Sequence, residues 1–183
     1  RHQQLGRLLS ASELETKAMN TEEKGRKREA LELWKEYTFA AFEEGKGAPR
    51  IYSMATMSRY WGVIMSLPPE EREKELAIAK SAINATSLED YFTRLREANP
   101  GLEAEERQRY INHNASRTTL SEEDVADKAA SHIGYVLRNE SYGDAQKIAE
   151  LRNLQNEIGP DVMYQALESL PNFVETTWRI ERA

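Results

Sequence analysis

The residues best suited to chemistry in this 183-residue sequence are three histidines, two acidic runs and one basic cluster. His2, His113 and His132 stand far apart, and no HExxH or comparable spacing joins them into a metal site. A catalytic histidine needs an orienting carboxylate and a reacting partner. The sequence offers no arrangement of that kind around His113, in the segment Asn112-His113-Asn114. His132, beside Ile133 and Tyr135 on an expected helix, reads as structural. Glu70 to Glu75 and Glu103 to Glu106 alternate with Arg72, Lys74, Arg107 and Arg109. These are the i,i+3 and i,i+4 offsets of a solvated, ion-paired helix face rather than of paired catalytic acids. Gly45-Lys46-Gly47 lacks the length and the trailing Lys-Ser/Thr of a phosphate loop, and neither GxGxxG nor GxSxG occurs. The chain has no cysteine, which excludes disulfides, Cys-ligated zinc, iron–sulfur clusters and thiol catalysis. No catalytic residue, metal or cofactor is assigned, and the chain is expected not to be an enzyme.

Binding is the other kind of chemistry. Lys24, Arg26, Lys27 and Arg28 surround Gly25 and are the candidates for holding an anion or nucleic acid. Glu22, Glu23 and Glu29 flank them, and the chain as a whole carries −6. A dedicated nucleic-acid binder usually shows a basic domain, so a solvated surface is the favoured reading. Met54, Met57 and Met65 fall close together, with Tyr60 and Trp61 between them. Such a group fills awkward cores, and it also serves adaptable partner surfaces. Core is the favoured reading. If a helix docks a partner, this one and the helix over 30–42 come first. The partner-binding candidates are therefore Trp34, Phe39, Phe42, Met54, Met57, Tyr60, Trp61 and Met65. Gly62 and Gly134 sit inside expected helices at a cost of about 1 kcal/mol each relative to alanine, a position that often permits close helix approach. The sequons at Asn84, Asn114 and Asn139 read as chance combined with capping.

Helices are expected to position all of these residues. Ser12 to Glu15 reads as a capping box. Residues 20–29 contain no large apolar side chain, and 1–29 can stand as an N-terminal arm. Ala30, Leu33, Trp34, Tyr37 and Ala41 share one helical face, ended by Gly45 and Gly47. Pro49 opens a helix with Ile51, Met54, Met57, Trp61, Ile64 and Met65 on one face. Pro68 and Pro69 start the next, with Leu76, Ala79 and Ile83 inward. Ser87 with Asp90 begins a third, and Asn99 caps a polar helix through Ile111. His113 to Leu120 reads as a long loop. Ser121 to Asp124 caps a helix with Val125, Ala129, Ile133, Val136 and Leu137 inward. Ala145 to Ile158 and Val162 to Leu170 follow, and Pro171 starts a last helix bearing Val174, Trp178 and Ile180.

Strand signals are absent. The expectation is an all-α chain of eight to ten short-to-medium helices, as a compact antiparallel bundle or a short helix-pair, repeat-like stack. One domain over 1–183 is expected, and no apolar run is long enough to span a membrane. A mildly basic start from Arg1 would fit a removed organellar presequence, and equally a boundary of another kind. Three functions fit this pattern. The first is a non-catalytic accessory or scaffold subunit working through other protein subunits of a larger assembly, for which a mitochondrial respiratory or ATP-synthase complex is one concrete version. The second is a nucleic-acid-associated module using the 24–28 cluster. The third is a helical fragment of a larger enzyme.

Overall fold

A computed structural model describes residues 5–45 and 53–170. Pro49, Ile51, Gly47, His2, Pro171, Val174, Trp178 and Ile180 lie outside the described residues. The described chain is all-α, as the sequence pattern predicts. Its nine helices are α1 Ala11–Glu23, α2 Lys27–Glu43, α3 Met54–Met65, α4 Pro69–Asn84, α5 Leu88–Ala98, α6 Pro100–Ala115, α7 Glu122–Arg138, α8 Asp144–Ile158 and α9 Pro160–Glu168. No strand occurs among the described residues; Leu8 and Thr119 make one isolated antiparallel bridge.

The helix ends follow from local chemistry. Ser53, Ser87, Asn99 and Ser121 each cap a helix by accepting a backbone N–H, and α4, α6 and α9 each begin on proline. One expectation is displaced. The first capping box is Ser10 with Glu13, not Ser12 with Glu15: Ser10 Oγ accepts from the Glu13 amide and the Glu13 carboxylate accepts from the Ser10 amide. This earlier start places the Ala11 amide 2.7 Å from the Glu44 carboxylate, which satisfies one of the donors that a helix start leaves open. Gly25, at φ +83°, turns the chain between α1 and α2.

The chain divides into two compact units. The first, residues 9–118, holds α1 to α6. Residues 11–23 form a packed helix in it, with Ala11, Leu14, Ala18 and Thr21 buried and α1 lying against α2. Helix α2 is central, burying Ala30, Leu31, Leu33, Trp34, Tyr37, Phe39, Ala41 and Phe42. The width of that apolar surface explains why α2 meets α1, α3 and α5. Trp34 lies stacked on Tyr60 of α3, ring centres 5.6 Å apart, and edge-on to Tyr37. Phe39 and Phe42 meet Tyr91 of α5. The second unit contains α7 to α9 with residues 5–8, which pair with the chain at Thr119 and Leu120. Its own core gathers Ala129, Ile133, Val136, Leu151, Ile158, Val162, Met163 and Leu167.

Candidate functional site

Two features of the first unit were expected as something else. His113 is not in a loop, because α6 runs on to Ala115 and carries it as a nearly buried side chain. The acidic runs are not wholly solvated either. Glu103 and Glu105 are surface partners of Arg96, Arg107 and Lys74. The arginines hold the Glu103 carboxyl down to about 2, through hydrogen bonds from Arg96 first and Arg107 second. Glu75 and Glu106, by contrast, are buried, and between them lies Lys35, only 3% exposed. Lys35 Nζ stands 2.7 Å from Glu75 Oε1 and 3.7 Å from Glu106 Oε2. The phenol of Tyr91 donates to Glu106 at 3.2 Å and Arg109 Nε donates to its other oxygen at 3.1 Å. The physical cause is the helical period. Position 35 falls between the two apolar faces of α2, so its ammonium cannot reach water. Charges so placed persist only when paired and hydrogen-bonded.

This cluster opens into a line of polar pairs between α2 and α6. Arg109 also donates to Glu32, His113 lies between Glu36 and Glu43, and Arg117 donates to Glu43 at 2.6 Å. Beside the line is an open groove of about 700 Å³, bounded by Glu32, Glu36, Lys74, Glu105, Arg109 and His113 over Phe39. Its cations are committed: Lys74 to Glu105 at 2.7 Å and Arg109 to Glu32 and Glu106. Among the described residues, no group of three or more His, Asp or Glu side chains is placed to hold a metal ion.

His113 packs against Phe39 and Tyr110. Its Nδ1 stands 3.6 Å from Glu36 Oε2 and its Nε2 3.4 Å from Glu43 Oε1, and neither nitrogen makes an aligned hydrogen bond. Burial pushes its pKa below the usual value. Glu36 and Glu43 oppose that shift and Arg117 reinforces it. Both carboxylates also serve other donors, Glu36 those of Thr118 and Glu43 that of Arg117. The unfolded chain therefore takes up the histidine proton at a higher pH than the folded one does. Stability from this group is complete above the ordinary histidine range and is lost as pH falls from about 6.5 towards the lowered folded value. Urea unfolding at pH 7.5 and 5.5 should show a larger acid loss for the native chain than for His113→Gln. Equal losses would contradict the buried neutral imidazole.

The other sequence candidates are distributed as follows. Trp34, Phe39 and Tyr60 are fully buried and Phe42 nearly so; they face the core rather than any docking surface. Met57 and Trp61 are half-buried against that core. Met54, 91% exposed, and Met65, 46% exposed, point outward. Lys24, Arg26, Lys27 and Arg28 are all exposed around the α1–α2 turn. Arg28 is held by Glu71 at 2.8 Å, and Arg26 lies 3.8 Å from Glu29. His132 is exposed rather than buried in a core and stacks on Tyr135. The Arg138 guanidinium covers the space that a side chain at Gly134 would need, whereas nothing lies within 4 Å of one at Gly62.

No helix among the described residues is long and apolar enough to cross a membrane. No family model, no curated protein and no solved structure matches the chain.

Proposed function

We propose that this chain is a non-catalytic helical accessory subunit that acts through protein–protein contacts within a larger assembly. An organellar complex of the respiratory or ATP-synthase type is the setting to test first. The observation that carries the reading is the outer stripe of α3. Met54, Ser58, Trp61, Gly62 and Met65 recur there at helical spacing, and all are exposed except the half-buried Trp61. The single charged residue of α3 is Arg59, and its guanidinium is turned to Glu22 and Glu23 of α1 at 3.1 and 3.2 Å. A charge-poor stripe is unusual for a chain in which 31% of residues are charged. Thioether side chains adapt to a partner's contour, and contiguous exposed apolar surface marks interaction sites. Gly62 leaves room for a neighbouring helix to approach, and no part of the described chain uses that room.

Met54→Glu combined with Met65→Glu tests the reading, because exposed substitutions of this kind usually change stability by no more than about 0.5 kcal/mol. The native chain, isolated by affinity from its own cells, should carry partner subunits in fixed stoichiometry. The double variant should lose them while melting at the native temperature. A native chain that runs as a lone monomer at every salt concentration would overturn the proposal.

A further inference from the structure

Two carboxylates face one buried imidazole, and only one of them can be served by a neutral ring. A neutral histidine carries one N–H, so one of its nitrogens is a bare acceptor. The His113 side chain is 6% exposed and its ring nitrogens are buried, so no solvent donor fills the gap. Nε2 is closer to Glu43 Oε1, at 3.4 Å, than Nδ1 is to Glu36 Oε2, at 3.6 Å. With the N–H on Nε2, facing the nearer carboxylate of Glu43, Nδ1 presents its lone pair to Glu36. Two acceptors do not attract, and Glu36 turns elsewhere. Its Oε2 accepts the Thr118 amide at 2.9 Å, and its Oε1 accepts the Thr118 hydroxyl at 2.5 Å.

We propose that His113 and Glu36 form a proton-operated switch, in which a second proton on Nδ1 draws Glu36 Oε2 away from the Thr118 amide and frees that amide from α2. The proton comes from solvent and no other bond changes partner. Glu43 keeps both its contacts, because Arg117 uses Oε2 and the imidazole faces Oε1. The charged groups around the ring are few. Helix α2 supplies Glu36 and Glu43, the chain after α6 supplies Arg117, and α6 itself supplies Arg109 one turn away, committed to Glu32 and Glu106; along the same groove α4 supplies Lys74, committed to Glu105 of α6. Helix α5 contributes Phe92 and Tyr91, which reach the ring only through Tyr110 and Phe39. Glu36 is thus the group free to change partner. Arg117 and Thr118 are the last residues of the first unit, and Thr118 also accepts the Leu9 amide through its carbonyl at 3.3 Å. Acidification would loosen that end of the unit while leaving the α2 core intact.

The test is hydrogen exchange and NMR on the full chain between pH 7.5 and 5.0. As the His113 ring nitrogens titrate, the protection factor of the Thr118 amide should fall by about tenfold, the scale of one hydrogen bond. Its chemical shift should move with the same midpoint, and the protection of Ala41 in α2 should stay constant. In His113→Gln the Thr118 response should disappear. If that variant does not fold, the native titration decides alone. A Thr118 amide that stays protected while His113 titrates overturns the proposal. So does one that responds with an unchanged midpoint in His113→Gln.

Discussion

Replacing Lys35 by alanine is expected to lower the unfolding free energy by about 3–5 kcal/mol, the range for breaking one side of a buried ion pair. Two carboxylates lose their common counter-charge. Glu75 and Glu106 are buried on α4 and α6. Glu106 retains Arg109 and Tyr91, so the orphaned charge falls mainly on Glu75, whose Oε1 makes no aligned hydrogen bond besides the ion pair. A second variant separates charge from shape. Lys35→Met with Glu75→Gln and Glu106→Gln removes all three charges and should recover much of the loss, because a buried ion pair replaced by well-packed neutral groups is often no less stable. Urea unfolding by circular dichroism measures both. A Lys35→Ala effect below about 1 kcal/mol would mean that water reaches the cluster.

Trp34→Ala should cost a similar amount, about 3–5 kcal/mol, through a cavity at the centre of α2. Trp34 is wholly buried, stacked on Tyr60 and edge-on to Tyr37, so its removal strips contacts from α3 as well as from α2. Trp34→Phe should cost less, since the indole Nε1 has no hydrogen-bond partner to lose. The experiment also separates two roles. A tryptophan used to grip another protein would leave stability almost unchanged on truncation, and a tryptophan used as core would not. An unchanged urea midpoint would return Trp34 to the docking candidates.

Most of the helical order was visible in the sequence, for local reasons. Prolines, serine caps and 3.6-residue apolar spacing act within one turn, and Ser87, Asn99, Ser121, Pro69 and Pro160 mark real helix starts. Ser10 was missed because Ser12 offers the same motif two residues later, and only the reach of Glu44 to the Ala11 amide separates the two. Nothing in the sequence places His113 between Glu36 and Glu43, because those partners lie seventy or more positions away. One faint signal existed: Lys35 sits between Trp34 and Tyr37, where a surface lysine does not belong. The outward turn of Met54 and Met65 was equally hidden. A helix with apolar residues nearly all round does not say which side the core takes, and here Thr56, Tyr60, Val63 and Ile64 take it.

The sequence distance between α2 and its polar partners on and after α6 has a kinetic consequence. Glu32 and Arg109 are separated by 77 positions, and Glu43 and Arg117 by 74. Residues so far apart meet only after the intervening chain has travelled out and returned. The loop to be closed is long, and its entropy must be met before any of these pairs contributes. The α1–α2 and α5–α6 neighbours, joined by short connections, face no such delay. The polar line therefore belongs to the late side of the folding barrier. Interactions absent from the transition state leave the folding rate alone and slow unfolding. Lys35, Glu106 and Arg109 thus govern how long the first unit stays folded once formed, more than how fast it forms.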